Sequence, residues 1–244
     1  MTRPENISLP DWEILKNKYP NNLEEIMNKI NSGYPVQYLI GNVEFYNSII
    51  DIDERVLIPR FETELLVKET IYYIKKIFAN KKIDVIDLGT GSGCIAIALK
   101  KSLNCNVDAL DISIDALDLA SNNALNNNVN INFINKDMTD KFTKKYDVII
   151  SNPPYIPYDG YVADNVLQYE PNLALFAKDE GIHFYKQIIN KHLNFLNKPG
   201  LMAFEIGDNQ KEILDDYLKK NYSLKYEFKK DFNNRYRYLF IFNE

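Results

Sequence analysis

Ile83-Asp84-Val85-Ile86-Asp87-Leu88-Gly89-Thr90-Gly91-Ser92-Gly93-Cys94-Ile95-Ala96-Ile97-Ala98-Leu99 is the stretch whose reading decides the fold. A short β-branched run leads into three closely spaced glycines, and an apolar helical run follows. That is the place where a parallel α/β sheet builds a ligand site. Glycines remove Cβ atoms, so the backbone turns sharply and a ligand can lie against it. The spacing excludes two common occupants. A dinucleotide turn needs its third Gly three positions after the second, and position 94 is Cys. An ATPase-type phosphate loop needs Lys and Ser/Thr after the last Gly, and Cys94-Ile95 stand there. The turn therefore suits a phosphate-free ligand such as an adenosyl amino acid, with Asp87 available to an ammonium group.

The rhythm around this turn repeats. Strands are expected at 83–88, 106–111, 131–135, 146–151, 200–206, 223–229 and 236–242, with helices at 94–103, 114–125, 181–196 and 210–221. Alternating β and α implies an α/β fold with an open, mostly parallel sheet covered on both faces. The last two strands imply a hairpin-like finish. Upstream, 62–78 has helical spacing. Residues 36–58 alternate in places and are expected to be a strand or hairpin linker. Asp11 and Asn22 are candidate caps of two short N-terminal helices, the second stopped by Gly33. The expected division is a helical region 1–34, a linker or hairpin 35–60 and a main domain 61–244.

Composition narrows the function classes. The 244 residues are 45% hydrophobic and 26% charged, which excludes a disordered chain. Lys plus Arg is 29 against 34 Asp plus Glu, a net charge of −5, unlike a chain built mainly to grip nucleic-acid phosphates. No apolar run approaches the roughly 18 residues of a membrane helix, and the start has no signal-peptide apolar region. Two cysteines, Cys94 and Cys105, are too few for a disulfide framework. A cytoplasmic monomer that uses no membrane and does not require nucleic acid is expected. His183 and His192 lie nine positions apart with no Cys or carboxylate cluster, so no metal site is expected.

Three further positions carry chemistry. Asp111 ends the second strand, 22 residues after Gly89. A carboxylate there can accept both hydroxyls of a ribose, or it can cap the helix that Ser113 also caps. Asp137 can accept an adenine amino group with Met138 against the ring; a surface-loop position accounts for it nearly as well. Asn152-Pro153-Pro154-Tyr155 ends the fourth strand. Two prolines cannot continue a sheet, so they make a stiff platform at the strands' carboxyl end. The Asn152 side-chain oxygen and the Pro153 carbonyl are two acceptors that can hold both hydrogens of a planar –NH2 group, and Tyr155 offers it a flat face. An amide nitrogen is a weak nucleophile. Fixing its two N–H bonds directs its attack and spreads the developing positive charge.

The turn and the tetrad together resemble class I S-adenosylmethionine-dependent methyltransferases acting on planar nitrogen. Segments 35–41 (Pro-Val-Gln-Tyr-Leu-Ile-Gly), Leu57-Ile58-Pro59-Arg60 with Glu62-Thr63-Glu64, Tyr169-Glu170-Pro171, Ala174-Leu175, Glu205-Ile206-Gly207 and Arg235-Tyr236-Arg237 closely resemble the HemK/PrmC family. The resemblance implies a Rossmann-like, seven-stranded sheet. It implies methyl transfer from S-adenosyl-L-methionine, leaving S-adenosyl-L-homocysteine, to the glutamine amide in the Gly-Gly-Gln motif of class I peptide chain release factors. The implied cofactor residues are Asp87, Gly89, Thr90, Gly91, Gly93, Asp111, Ile112, Asp137, Met138 and Asn152. Asn152, Pro153 and Tyr155 are the implied catalytic residues, and Pro154, Arg60 and Thr63 join them in substrate binding. A Pro-Arg turn leading into a capped helix also accounts for Arg60 and Thr63. The family has a longer helical N-terminal domain than the region 1–34, which helps dock the release factor. Methylation of a ribosomal-protein glutamine, methylation of amino-adenine in DNA, and a non-enzymatic nucleotide-binding module are the competing readings.

Overall fold

The computed structural model describes residues 2–5, 7–79 and 81–244; of the region 1–34, positions 1 and 6 lie outside the described residues. Three helices come first, α1 (Leu9–Lys18), α2 (Leu23–Asn31) and α3 (Val36–Ile40). Ser8, not Asp11, caps α1. Its hydroxyl accepts from the Asp11 amide at 3.2 Å and donates to the Asp11 carboxylate at 2.7 Å. Asn22 stands at the cap of α2 as expected, without a side-chain capping bond. The helix α3 replaces part of the expected strand. Val36, Leu39 and Ile40 fall at helical spacing, and they meet a small core of Ile7, Trp12, Leu15, Ile26 and Ile30. Gly41, at φ +88°, ends it. The expected hairpin follows as β1 (Asn42–Phe45) paired antiparallel with β2 (Ser48–Asp51).

Next come α4 (Phe61–Phe78), β3 (Ile83–Leu88), α5 (Cys94–Ser102), β4 (Cys105–Asp111), α6 (Ile114–Asn126), β5 (Asn132–Asn135) and β6 (Tyr146–Ser151). A short pair, β7 (Ile156–Pro157) and β8 (Phe176–Ala177), brackets α7 (Asp164–Tyr169); neither strand nor helix shows in the residue pattern. The chain closes with α8 (His183–His192), β9 (Leu196–Glu205), α9 (Lys211–Asn221), β10 (Lys225–Lys230) and β11 (Tyr236–Asn243). The expected helix 181–196 is shorter, its last turn tightening to 3₁₀ geometry at Leu193–Phe195.

The large sheet has the order β10-β11-β9-β6-β3-β4-β5, with β11 antiparallel to both of its neighbours and the other pairs parallel. The expected hairpin finish is β10 with β11. Strand β9 begins before Pro199, earlier than expected. Proline lacks the ladder N–H, so the β6 pairing shifts there, with Tyr146 opposite Leu196 and Val148 opposite Leu201. Asn243 Nδ2 donates to the Leu196 and Asn197 carbonyls, and Asn197 donates to Asp147. Side chains thus replace the missing backbone bonds.

Alternate residues of the central strands serve two cores. Val85, Val148, Leu201 and Phe240 face α4, α5 and α6 through Leu66, Ile97 and Leu119. Ile86, Ile149, Met202 and Leu239 face α8 and α9 through Ile188 and Leu214. The chain runs from β3 out to β4 and β5, then returns to β6 on the other side of β3. Strand direction of travel reverses at that point, and a crevice opens at the carboxyl ends of β3 and β6. No helix among the described residues is long and apolar enough to cross a membrane.

Candidate active site

A cavity of about 190 Å³ occupies that crevice. Its floor is the glycine turn. Gly89, Gly91 and Gly93 all have positive φ (+71°, +52° and +81°). Their roles separate on what a Cβ would meet. At Gly91 it would meet nothing within 4 Å, so the bare backbone faces the cavity. At Gly93 it would press on Ala120 at 3.1 Å. Gly93 therefore serves the packing of α5 on α6 and does not line the cavity, although the residue pattern places it with the ligand. The Gly91 amide donates to Asp111 Oδ2 at 2.9 Å, and the Ser113 amide donates to Oδ1 at 2.9 Å. Asp111 thus braces the turn while its remaining lone pairs face the cavity. It does not cap α6; the Ser113 hydroxyl does, accepting from the Ala116 amide at 3.2 Å.

Asp87 lies beneath the turn, wholly buried and outside the cavity lining, so it does not stand open to an ammonium group. Thr90 Oγ1 donates to its Oδ2 at 2.6 Å, and its Oδ1 has no partner. Burial, then the neighbouring Asp111 charge, push its carboxyl up to about 7. Thr90, Ile112, Asp137 and Met138 all line the cavity. The loop carrying Met138 is pinned by α8. His192 sits flat on Phe142 at 3.7 Å, and its Nε2 lies 2.7 Å from the Met138 carbonyl. Cys94 at the start of α5 is buried and lines the cavity, and desolvation pushes its thiol up to about 12, so it stays a neutral thiol.

The tetrad stands on the opposite wall. Leu88 and Ser151 are register partners, so Gly89 and Asn152 emerge side by side. Asn152 and Pro154 line the cavity; Pro153 and Tyr155 do not. Asn152 Nδ2 donates to Thr63 Oγ1 at 3.2 Å, and among the described residues no donor reaches its Oδ1. Tyr155 is half-buried against the second core. Its hydroxyl reaches Glu205 Oε1 at 3.3 Å, and its carbonyl accepts from Gln210 Nε2 at 2.8 Å. Its ring is therefore held as a rigid support of the platform.

Arg60 and Thr63 line the cavity from the start of α4. Arg60 pairs with Glu170, whose second oxygen accepts from the Ile58 amide at 3.1 Å. Thr63 Oγ1 donates to Glu205 Oε2 at 2.7 Å. The residue pattern does not single out Ser92, Leu173 and Phe184 of the lining, nor Glu170 and Glu205, which stand behind it. Each glutamate lies in a segment carrying the family resemblance, but neither has a partner close in sequence that would signal burial. Both are buried, at 5% and 2% exposure. Burial, offset by hydrogen bonds from Thr63 and Tyr155 and by the Arg237 charge, pushes Glu205 up to about 7. No cluster of three or more potential metal ligands is found among the described residues.

The donor set fits an adenosyl amino acid. Bare backbone at Gly91 and the lone pairs left on Asp111 lie on one wall, and the Asn152 acceptor lies opposite. Residues 50–169 match the family described as "Methyltransferase small domain". The chain is 41% identical to the release factor glutamine methyltransferase of Lactococcus lactis subsp. lactis over 204 residues, covering 82% of this chain and 74% of that protein. It is 38% identical to the same-named protein of Flavobacterium psychrophilum over 231 residues, covering 91% of this chain and 77% of that one. Among solved structures, the fold is similar to ribosomal protein L11 methylase from Lactobacillus delbrueckii subsp. bulgaricus, with TM-score 0.56 and 24% identity over 79% of this chain and 82% of that one. It is also similar to human methyltransferase 10 domain containing protein, with TM-score 0.57 and 20% identity over 80% and 90%. The architecture is that of class I methyltransferases.

Proposed function

This chain belongs to the release factor glutamine methyltransferase family, and from that premise we propose that it methylates the side-chain amide nitrogen of the glutamine in the Gly-Gly-Gln motif of class I release factors. S-adenosyl-L-methionine is the methyl donor, and the enzyme works as a cytoplasmic monomer. Gly89, Thr90 and Gly91 hold the methionine end, Asp111 and Ile112 the ribose, and Asp137 with Met138 the adenine. When bound, the donor supplies a sulfonium methyl: the N–C bond forms as the S–C bond breaks, one N–H proton goes to solvent, and S-adenosyl-L-homocysteine remains.

The chain's own contribution is geometric and electrostatic. Asn152 Oδ1 and the Pro153 carbonyl accept the two N–H bonds of the glutamine amide. They point the nitrogen lone pair across the crevice and share its growing positive charge. Tyr155, fixed by Glu205 and Gln210, keeps the platform from yielding. Arg60 and Glu170 stiffen the rim through which the loop enters. The observation that carries this reading is the Asn152 oxygen, free of any donor among the described residues, across the cavity from the bare Gly91 backbone. Mass spectrometry of a release factor before and after incubation with the protein and S-adenosyl-L-methionine tests it. One added methyl on the tripeptide glutamine is expected; label appearing only in unmethylated DNA or in a ribosomal protein overturns it.

A further inference from the structure

The buried carboxylate of Glu205 is in contact with neither face of the cavity, yet it is linked to the one side chain that must present an acceptor. Asn152 Nδ2, Thr63 Oγ1 and Glu205 Oε2 form a chain with steps of 3.2 and 2.7 Å. We propose that Glu205 is a positioning residue that fixes which end of the Asn152 amide faces the substrate, by dictating the proton order along Asn152, Thr63 and Glu205. The proposal rests on the reading that Asn152 receives an –NH2 group.

A threonine hydroxyl has one proton to give. An ionised carboxylate only accepts, so Thr63 spends that proton on Glu205 and can only accept from its other side. The amide end facing Thr63 must then be the donor, Nδ2, and Oδ1 is left for the substrate. A neutral Glu205 can itself donate to Thr63. The Thr63 proton is then free to point at Asn152, and nothing distinguishes the two amide ends. With Nδ2 turned to the cavity, an incoming –NH2 meets a donor instead of an acceptor, and an unpaired buried donor is costly.

The groups around Glu205 decide when it is charged. From α4 it faces Thr63 and Glu62, from the tetrad Tyr155, and from β11 Arg237, itself paired with Asp231, and Tyr238. Tyr185 of α8 donates to its backbone carbonyl at 2.8 Å, and its charge reaches Cys94 of α5. Burial and Glu62 oppose ionisation, while Thr63, Tyr155 and Arg237 favour it, leaving the carboxyl at about 7. Turnover should therefore rise through neutral pH as the proton order is imposed.

Glu205→Gln keeps the shape and removes the charge. Its turnover on release factor should fall about a hundredfold, the scale of losing one preorganised polar contact, while S-adenosyl-L-homocysteine affinity stays within about twofold. The rising limb near pH 7 should disappear. A limb that survives in Glu205→Gln belongs to Asp87, also pushed to about 7, and overturns the proposal, as does unchanged turnover. Thr63→Val should show the same loss, and Thr63→Ser, which keeps the hydroxyl, should restore turnover. Glu205→Gln added to Thr63→Val should cost nothing more; additive losses overturn the shared chain. The Asn152 side-chain amide resonances of the ¹⁵N-labelled protein provide a readout without substrate. They should titrate near pH 7 in the wild type and not in Glu205→Gln, and a flat wild-type profile overturns the proposal. A wild type that titrates but leaves release factor unmethylated sinks the proposed function and leaves the proton order standing.

Discussion

The Ser151 hydroxyl donates to the Leu88 carbonyl at 2.7 Å, both residues fully buried, and so ties together the strand ends that carry the two halves of the site. Strand β3 delivers the glycine turn and β6 delivers the tetrad. A bond between the last residues of each sets the distance across which a methyl group would move.

Asn152→Ala removes the acceptor while leaving the glycine turn intact. Turnover on release factor should fall by about 10²-fold or more, with S-adenosyl-L-homocysteine affinity nearly unchanged by calorimetry. Wild-type turnover in this variant would mean that the amide clamp is not how the nitrogen is held.

Gly91→Ala and Gly89→Ala should fail differently. A Cβ at Gly91 meets nothing but the cavity, so strain at φ +52° costs only about 1–2 kcal/mol of stability while the methyl donor loses its seat. Its affinity should drop more than about tenfold, a loss of at least about 1.4 kcal/mol of binding. At Gly89 the Cβ would sit 2.7 Å from the terminal methyl of Met138, the far end of a flexible side chain, so beyond the backbone strain at φ +71° that variant turns Met138 aside and leaves the fold in place. Titration of each with the methyl donor, alongside urea unfolding, checks this; a stability loss at Gly89 well beyond that at Gly91 would contradict the assignment.

Glu170→Ala strips Arg60 and the Ile58 amide of a buried, charged acceptor. Lost hydrogen bonds to a charged group should cost about 2 kcal/mol, which lowers the Tm of a chain this size by about 4–8 °C. Thermal unfolding followed by circular dichroism checks it, and a shift below a degree would show that the rim does not depend on this pair.

Stability should decline as pH rises from about 5 to 8. Asp87, Asp111 and Glu205 have folded pKa values above their ordinary ones, to about 7 for Asp87 and Glu205. Between the unfolded value near 4 and the folded one, the native state holds protons that the unfolded chain has released, so their stabilisation is complete at low pH and is lost on the way up. His192, lowered by burial, works in the opposite direction with one proton against their three. Asp53, Asp108 and Asp215 are held below their ordinary values and act only in the more acid window. A urea midpoint higher at pH 8 than at pH 5.5 would reverse the sign and contradict this account.

Local pattern made much of the site legible. Strands β3 and β6 were readable to the residue because a run buried on both faces has few alternatives, and glycine and proline announce their backbone geometry directly. Where local signals competed, packing decided. Ser8 outbid Asp11 as a cap, and residues 36–40 coiled into a helix because Leu39 had a core waiting among Trp12 and Leu15.

What the amino-acid order determined by itself was the pair of rigid turns, the strand–helix alternation that sets them on one sheet edge, and the family resemblance. What only tertiary structure decided was which residues stand behind those turns. Gly93 went to helix packing and Asp87 under the floor, and Glu170 and Glu205 came in beside Arg60 and Thr63 from more than a hundred positions away. The physical reason is that a glycine or proline carries its conformational preference within itself. A carboxylate acquires its burial, its partner and its charge state only from the neighbours that folding brings to it.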